Sequence, residues 1–249
     1  MWKVNVLEAP RSTQEEALEY IKSNYKNEKL VFYSQNQTRG HGTKGRSWIS
    51  SDISFAASFV FPLQICTDDS ASRLLPITFA LIVANTLEKA KYCQELSLGI
   101  KWPNDLYKNG KKIAGILLHL LPIGLYGKGF KLAILGIGIN IVWISPDIKL
   151  NATSIFDDVN SAKRFNAQNL IDDLTNNIDR MYNDNVFFNP RVEFGKRDMF
   201  KNQVINVSLN NNTIVSGKNM GIDKNGRLLL KETSKPYITK IEAGSIKWR

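Results

Sequence analysis

The chain has 249 residues, 43% hydrophobic and 22% charged, with 33 Lys and Arg against 23 Asp and Glu for a formal net charge of +10. That suits one or two globular domains with a full core and excludes a disordered polybasic tail. Two cysteines and two histidines exclude a disulfide framework and a Cys-based zinc site. The opening MWKVNVLEAPRS lacks the apolar core of a signal peptide, and no apolar run approaches the ~20 residues of a membrane span, so a cytoplasmic setting with no membrane contact is expected.

In chain order, Val4 to Leu7 reads as a short strand. Ser12-Thr13-Gln14-Glu15 then offers an N-cap with acidic residues in the first turn of a helix carrying Ala17, Leu18 and Ile21 on one face. Leu30 to Tyr33 and Phe55 to Phe61 read as strands on either side of a glycine-rich basic loop, Gln37 to Trp48. Arg73 to Lys91 has the apolar spacing of a helix, through Leu74, Ile77, Leu81, Ala84 and Leu87. Leu98 to Trp102, Lys112 to Leu121 and Lys131 to Ile141 are three strand-like segments, and Asn109-Gly110 predicts a hairpin turn joining the first two.

Residues 167–182 form a second amphipathic pattern through Leu170, Leu174, Ile178 and Met181. After Phe200 short strands with turns at Asn210-Asn211-Asn212 and Asn225-Gly226 predict a small all-β barrel. This last part carries most of the charge: residues 190–249 hold 12 Lys and Arg against 5 Asp and Glu. Such a surplus faces either an anionic partner or solvent, and charge by itself does not choose between them.

Gly40, Gly42 and Gly45 satisfy a G-x-G-x-x-G pattern, but a strand rather than a helix follows, so a dinucleotide fold is excluded by context. Glycines let backbone N–H groups approach oxygens closely, and Arg39, Lys44 and Arg46 add charged donors, which suits an anion. Trp48 adds a flat face suited to a base, while an ordinary mobile loop with scattered charge remains the alternative. Three further motifs follow. Lys101-Trp-Pro-Asn-Asp105 ends a strand and presents, in Asn104 and Asp105, the hard oxygens that Mg²⁺ prefers. Lys112-Ile-Ala-Gly-Ile-Leu117 places small residues in an apolar strand, and Gly136-Ile-Gly-Ile-Asn140 closes another with two glycines and an Asn.

The order of this loop and these three motifs resembles that of the biotin protein ligases, and the likeness runs from Ser12-Thr13 to Gly221-Ile-Asp-Lys-Asn-Gly226 and Gly244-Ser-Ile-Lys-Trp248. The resemblance implies an α+β fold: a mixed sheet packed with helices, of the class II synthetase-like biotin-ligase kind, over residues 1–199, and an SH3-like barrel over residues 200–249. It also implies the activity. Biotin is activated with ATP as biotinyl-5′-AMP, releasing pyrophosphate, and is then transferred to one lysine of a biotin carboxyl carrier protein, releasing AMP. The Ser-Thr motif comes at residue 12, which leaves no room before it for a helix-turn-helix domain, so a ligase without DNA-binding repressor activity is expected.

Residue by residue, the resemblance assigns Lys112 to the biotin carboxylate and the phosphate as main electrostatic catalyst, with Arg46 and Lys101 assisting. Ser12, Thr13 and Gln37 fall where the ureido ring is bound; Gly40, His41, Gly42 and Thr43 where the loop folds over biotin; and Gly115 beside the carboxyl end. Arg39, Lys44, Arg46, Trp48, Asn104, Asp105 and Asn140 fall where nucleotide is handled, Asn104 and Asp105 beside its Mg²⁺. His41 and Thr43 stand where the family often has arginines, and Thr43 lacks the bidentate fork that would grip the adenylate, which implies weaker retention of the intermediate. Arg11 and Gln14 also depart from the usual acidic residue and Asn. A lipoate or octanoate transferase of similar architecture is the nearest alternative, and a nucleic-acid-binding protein the more distant one. The sequence leaves monomer and homodimer, and the identity of the acceptor carboxylase, open.

Overall fold

The computed structural model of the chain describes residues 1–64, 72–90, 93, 96–122, 129–144, 150–183, 189–211 and 213–247, without the side chains of residues 24, 44, 182 and 183. The expectations that touched Cys66, Lys91, Asn212, Trp248 and the side chain of Lys44 lie outside the described residues.

Seven strands form one mixed sheet: β1 (Trp2–Val6), β2 (Lys29–Ser34), β5 (Ile53–Gln64), β6 (Gly99–Lys101), β7 (Asp105–Lys108), β8 (Lys111–Pro122) and β9 (Phe130–Val142). Their order is β1-β2-β5-β9-β8-β7-β6, with β1 and β2 parallel and every other pair antiparallel. The long central strands β5 and β9 are apolar almost throughout, as strands covered on both faces must be. Parity then divides the core. Leu30, Phe32, Val60, Leu132 and Ile134 point to the side covered by helix α1 (Thr13–Asn24), where they pack with Ala17. Val31, Phe59, Phe61, Ala133 and Leu135 point to the other side, the larger core that includes helices α2 (Leu75–Lys89) and α3 (Ala167–Asn183). Leu170, Ile171, Leu174 and Ile178 of α3 are buried there. Cys93 is also buried, and burial pushes its thiol up to about 11, too high for a reactive thiolate.

The hairpin expectation needs correction. Asn109 and Gly110, both at positive φ (52° and 76°), turn β7 into β8, not Leu98–Trp102 into Lys112–Leu121. The intervening strand β7 was hidden because Lys101 to Asp105 reads as a turn, which it is, while Asp-Leu-Tyr-Lys is too short to show a period. Helix α4 (Pro190–Arg197), capped by Asn189 with Pro190 in its first turn, was likewise not expected.

After residue 200 five short strands form an antiparallel sheet: β10 (Val204–Ser208), β11 (Ile214–Ile222), β12 (Leu228–Lys231), β13 (Ile238–Ile241) and β14 (Ser245–Lys247), in the order β13-β12-β11-β10-β14. A bulge between Asn219 and Ile222 of β11 curls it, and Gly221 takes the positive φ of 89° there. The edge strands β13 and β14 are not hydrogen-bonded to each other among the described residues, so the expected barrel is not closed by its ladder. The second sheet is fastened to the first. Trp102 Nε1 donates to Gly226 O at 3.0 Å, and Asn219 Nδ2 donates to Asp198 at 2.8 Å.

Candidate functional site

The α1-facing side of the main sheet changes character along β5 and β9. Where Val60, Leu132 and Ile134 give way to Ala56, Ser58, Gly136 and Gly138, the helix no longer has side chains to pack on, and a cavity opens. Ser58 pairs with Gly136, Ala56 with Gly138, and Gly138 in turn with Gly115 of β8, so the floor is nearly bare backbone. The cavity holds about 680 Å³, counting its open mouth.

Its closed end is polar. Ser12 caps α1, its hydroxyl accepting from Gln14 N at 3.2 Å. Gln37 Oε1 accepts from Thr13 N at 2.8 Å, and Thr13 Oγ1 lies 2.9 Å from Ser58 Oγ. Ser58 donates to Gln14 Oε1 at 2.8 Å, and Gln14 Nε2 donates to Ile134 O at 3.1 Å. All of these except Gln37 are buried. A Cβ on Gly136 would stand 2.7 Å from Gln14 Oε1, so any larger residue there would push that amide out of its hydrogen bonds.

The other end is charged. In a regular strand Lys112 and Gly115 would point to opposite faces. The register slips between Leu106 and Tyr107, leaving Ile113 as an extra residue in β8, and this turns Lys112 onto the face of Gly115 and Asp105. Lys112 Nζ therefore meets Asp105 Oδ1 at 2.6 Å and lies 5.4 Å from the Trp48 ring. The indole rests on the two floor glycines: a Cβ on Gly138 would come within 2.7 Å of it and one on Gly115 within 3.1 Å. Trp48 Nε1 is buried there without a hydrogen-bond partner.

The glycine loop, with β3 (Gly40–His41), a 3-10 turn at Thr43–Gly45 and β4 (Ser47–Trp48), forms the roof. Arg46 braces it, donating to Thr43 O at 3.2 Å and Thr43 Oγ1 at 2.7 Å. His41 reaches over to helix α1, its Nε2 2.5 Å from Glu15 Oε1, and that contact holds the Glu15 carboxyl below the usual range. Lys101 is buried beside the site, 5.8 Å from the Tyr107 ring centroid. Burial pushes its amine below the ordinary 10.5; Asp105 opposes this, and Lys112, Arg46 and Lys247 add to it.

A second cavity of about 940 Å³ shares Thr43, Arg46, Asn104 and Asp105 with the first and is walled by Lys101, Arg73 and residues 242–245 of the C-terminal sheet region. Arg73 pairs with Glu242 at 3.3 Å across it.

Most of the sequence-derived residues thus meet in one place: Ser12, Thr13, Gln37, His41, Gly42, Thr43, Arg46, Trp48, Asn104, Asp105, Lys112 and Gly115 line the first cavity. Lys101 lines the second, and buried Gly40 supports the loop, with no room for a Cβ between Trp48 O (2.8 Å) and Gln37 Nε2 (2.9 Å). Arg39 and Asn140 line neither. Arg39 is exposed, stitched by its backbone N–H to Arg11 O at 2.8 Å. Asn140 is buried, its Nδ2 donating to Thr153 O at 2.9 Å while its Oδ1 lacks a partner. Gln14, Ser58, Ala56, Gly136 and Gly138 were not anticipated as site residues. The signal was the run of small residues at every second position in β5 and β9. Asn104 Nδ2 is committed to Ile116 O at 2.6 Å, and Asp105 is the one carboxylate on the cavity wall among the described residues. No group of three or more His, Cys, Asp or Glu gathers as a metal cage among the described residues.

A family model described as "Biotin/lipoate A/B protein ligase family" matches residues 6–140. The chain is 25% identical over 221 residues to a biotin--[acetyl-CoA-carboxylase] ligase of Mycobacterium tuberculosis, covering 87% of this chain and 78% of that protein. It is 35% identical over 115 residues to the Paracoccus denitrificans protein of the same name, a match covering 46% of this chain and 45% of that one. Among solved structures, a biotin protein ligase from Aquifex aeolicus, in complex with biotin and ATP, superposes with a TM-score of 0.73 at 22% identity over 98% of this chain and 97% of that one. At that identity the likeness is one of fold.

Proposed function

The chain belongs to the biotin/lipoate A/B protein ligase family, and we propose that it activates biotin with ATP and transfers the biotinyl group to a lysine of a biotin carboxyl carrier protein. The observation that carries this reading is the polar closed end. Ser12 Oγ already accepts from Gln14 N, so its hydrogen is free to point at a carbonyl, and Gln37, a lining residue whose Oε1 is held by Thr13 N, has its Nε2 donors left beside the loop. Donors for a carbonyl beside an acceptor for N–H are what a cyclic urea demands, whereas the dithiolane of lipoate would leave them unpaired.

In the first step a carboxylate oxygen of biotin bonds to the α-phosphorus of ATP as the bond to the pyrophosphate oxygen breaks. Two anions must meet, and Lys112, with Arg46 and Lys101 behind it, supplies the positive field between them. Mg²⁺ would enter as the companion of ATP and would screen phosphate charge, and Asp105 and Asn104 are the residues whose oxygens would adjoin it. In the second step the acceptor amine, relieved of a proton, attacks the acyl carbon and AMP leaves. The indole of Trp48 is assigned to the base, and the loop from Gly40 to Arg46 to the cover over biotin and its adenylate. The surplus of Lys in the second sheet, including exposed Lys218, Lys231 and Lys240, is read as the side that meets an acidic carrier domain.

The test is pyrophosphate release with ATP, Mg²⁺ and either biotin or lipoate. Release with biotin alone is expected, and release with lipoate alone would overturn the reading in favour of the other branch of the family.

A further inference from the structure

Gln14 is the least expected member of the closed end. It is 4% exposed, and it makes more hydrogen bonds there than any residue assigned to ligand. Its amide can adopt one orientation only. Ile134 O is a carbonyl and accepts, so Nε2 must face it and Oε1 must face Ser58. Ser58, 0% exposed, has one hydroxyl proton, and Oε1 takes it at 2.8 Å. The contact of 2.9 Å between Ser58 and Thr13 must then run the other way, with Thr13 Oγ1 donating and Ser58 accepting. Gln37 Oε1 also lies within reach of Thr13 Oγ1, but at 3.3 Å it is the weaker of the two acceptors for that single proton. Once its proton is spent on Ser58, Thr13 Oγ1 can offer the cavity lone pairs and nothing else.

We propose that Gln14 and Ser58 are positioning residues that set substrate choice, because their fixed proton order makes Thr13 an obligate acceptor for a ligand N–H. The inference rests on the reading of this cavity as a biotin site and adds to it a chain of command, Ile134 O to Gln14 to Ser58 to Thr13, that neither sequence pattern nor pocket shape reveals. Without Gln14 the hydroxyls of Ser58 and Thr13 are free to rotate, and Thr13 can donate into the cavity as readily as accept. A urea N–H then meets a hydroxyl no longer held as its acceptor, among buried polar groups that have lost their partners, and the site loses its penalty against acids that lack the N–H.

The experiment compares the wild-type protein with Gln14→Met, which keeps the length that spans Gly136, and Ser58→Ala, a smaller change in the middle of a long strand. Pyrophosphate release is measured with biotin, desthiobiotin and lipoate at saturating ATP. Both variants should raise KM for biotin about 10- to 100-fold with kcat and the KM for ATP near wild type, the range expected for a buried polar group left without its partner. The preference for biotin over lipoate should fall by a similar factor, while the ratio of biotin to desthiobiotin, which share the urea, stays constant. A biotin-to-lipoate ratio within twofold of wild type in Ser58→Ala, or a kcat effect without a KM effect, overturns the proposal alone. If the wild-type protein releases no pyrophosphate with biotin, the underlying reading falls and the proposal falls with it.

Discussion

Lys112 and Asp105 sit on neighbouring strands and reach each other at 2.6 Å only because one extra residue in β8 rotates the lysine onto the cavity face. On the proposed reading, the pair would hold the ammonium where the charges of both substrates meet before either arrives. Lys112→Ala should reduce pyrophosphate release about 10²- to 10³-fold, the magnitude typical of losing one preorganised charge donor. Circular dichroism and thermal melting should show the fold intact. Activity within threefold of wild type would remove Lys112 from its role.

Gly138→Ala tests the floor. A β-strand accepts alanine without strain, so the expected damage lies in the indole that a Cβ would meet at 2.7 Å. Displacing Trp48 should weaken nucleotide binding by about 1–3 kcal/mol, the usual range for overpacking. Calorimetric titration with a non-hydrolysable ATP analogue reads this directly, and an unchanged Kd would mean that the ring moves aside freely.

Lys101 offers a pH signature. Its folded-state pKa is pushed below the ordinary 10.5, chiefly by burial. Its contribution to stability is therefore present above the unfolded value and is lost as pH falls through the folded one. At neutral pH, Lys101→Met should be at least as stable as wild type, and the wild-type protein should gain on the variant as pH rises toward 10.5, as followed by urea melts. The same variant should be nearly inactive in pyrophosphate release. A buried lysine retained against stability and needed for turnover is a group held for its charge. A variant destabilised at pH 7 would contradict this account.

Trp102→Phe addresses the junction of the two sheets. It removes the donor at 3.0 Å to Gly226 O and leaves that buried carbonyl without its partner. A loss of about 2–4 kcal/mol in urea denaturation is expected from the unpaired oxygen and the smaller ring together.

The sequence made the main sheet legible where strands are long, as in Phe55 to Phe61 and Lys131 to Ile141, because their apolar runs leave little else to be. It hid β7, four residues between two turns, and α4, eight residues with a cap but little apolar face. The site was legible where chemistry is carried by uncommon residue strings, such as Lys101 to Asp105. The sequence singled out Gly136 and Gly138 as part of a motif but not as a floor, and it did not reveal Ala56, nor Ser58 and Gln14, whose roles follow from proton order across three segments. Tyr237, exposed in the basic sheet region, is the one aromatic residue there among the described residues, which gives the nucleic-acid reading little to stack bases on.

The second cavity joins Thr43 and Arg46 of the glycine loop to residues 242–245. Its outer wall is held by Arg73 and Glu242 at 3.3 Å, whereas the polar closed end of the first cavity is built on α1, β5, β9 and Gln37. Loosening the second sheet would therefore widen the mouth beside Lys101 and leave the closed end in place. A protein strained at that seam would keep its grip on the small acid while admitting water to the reactive anhydride.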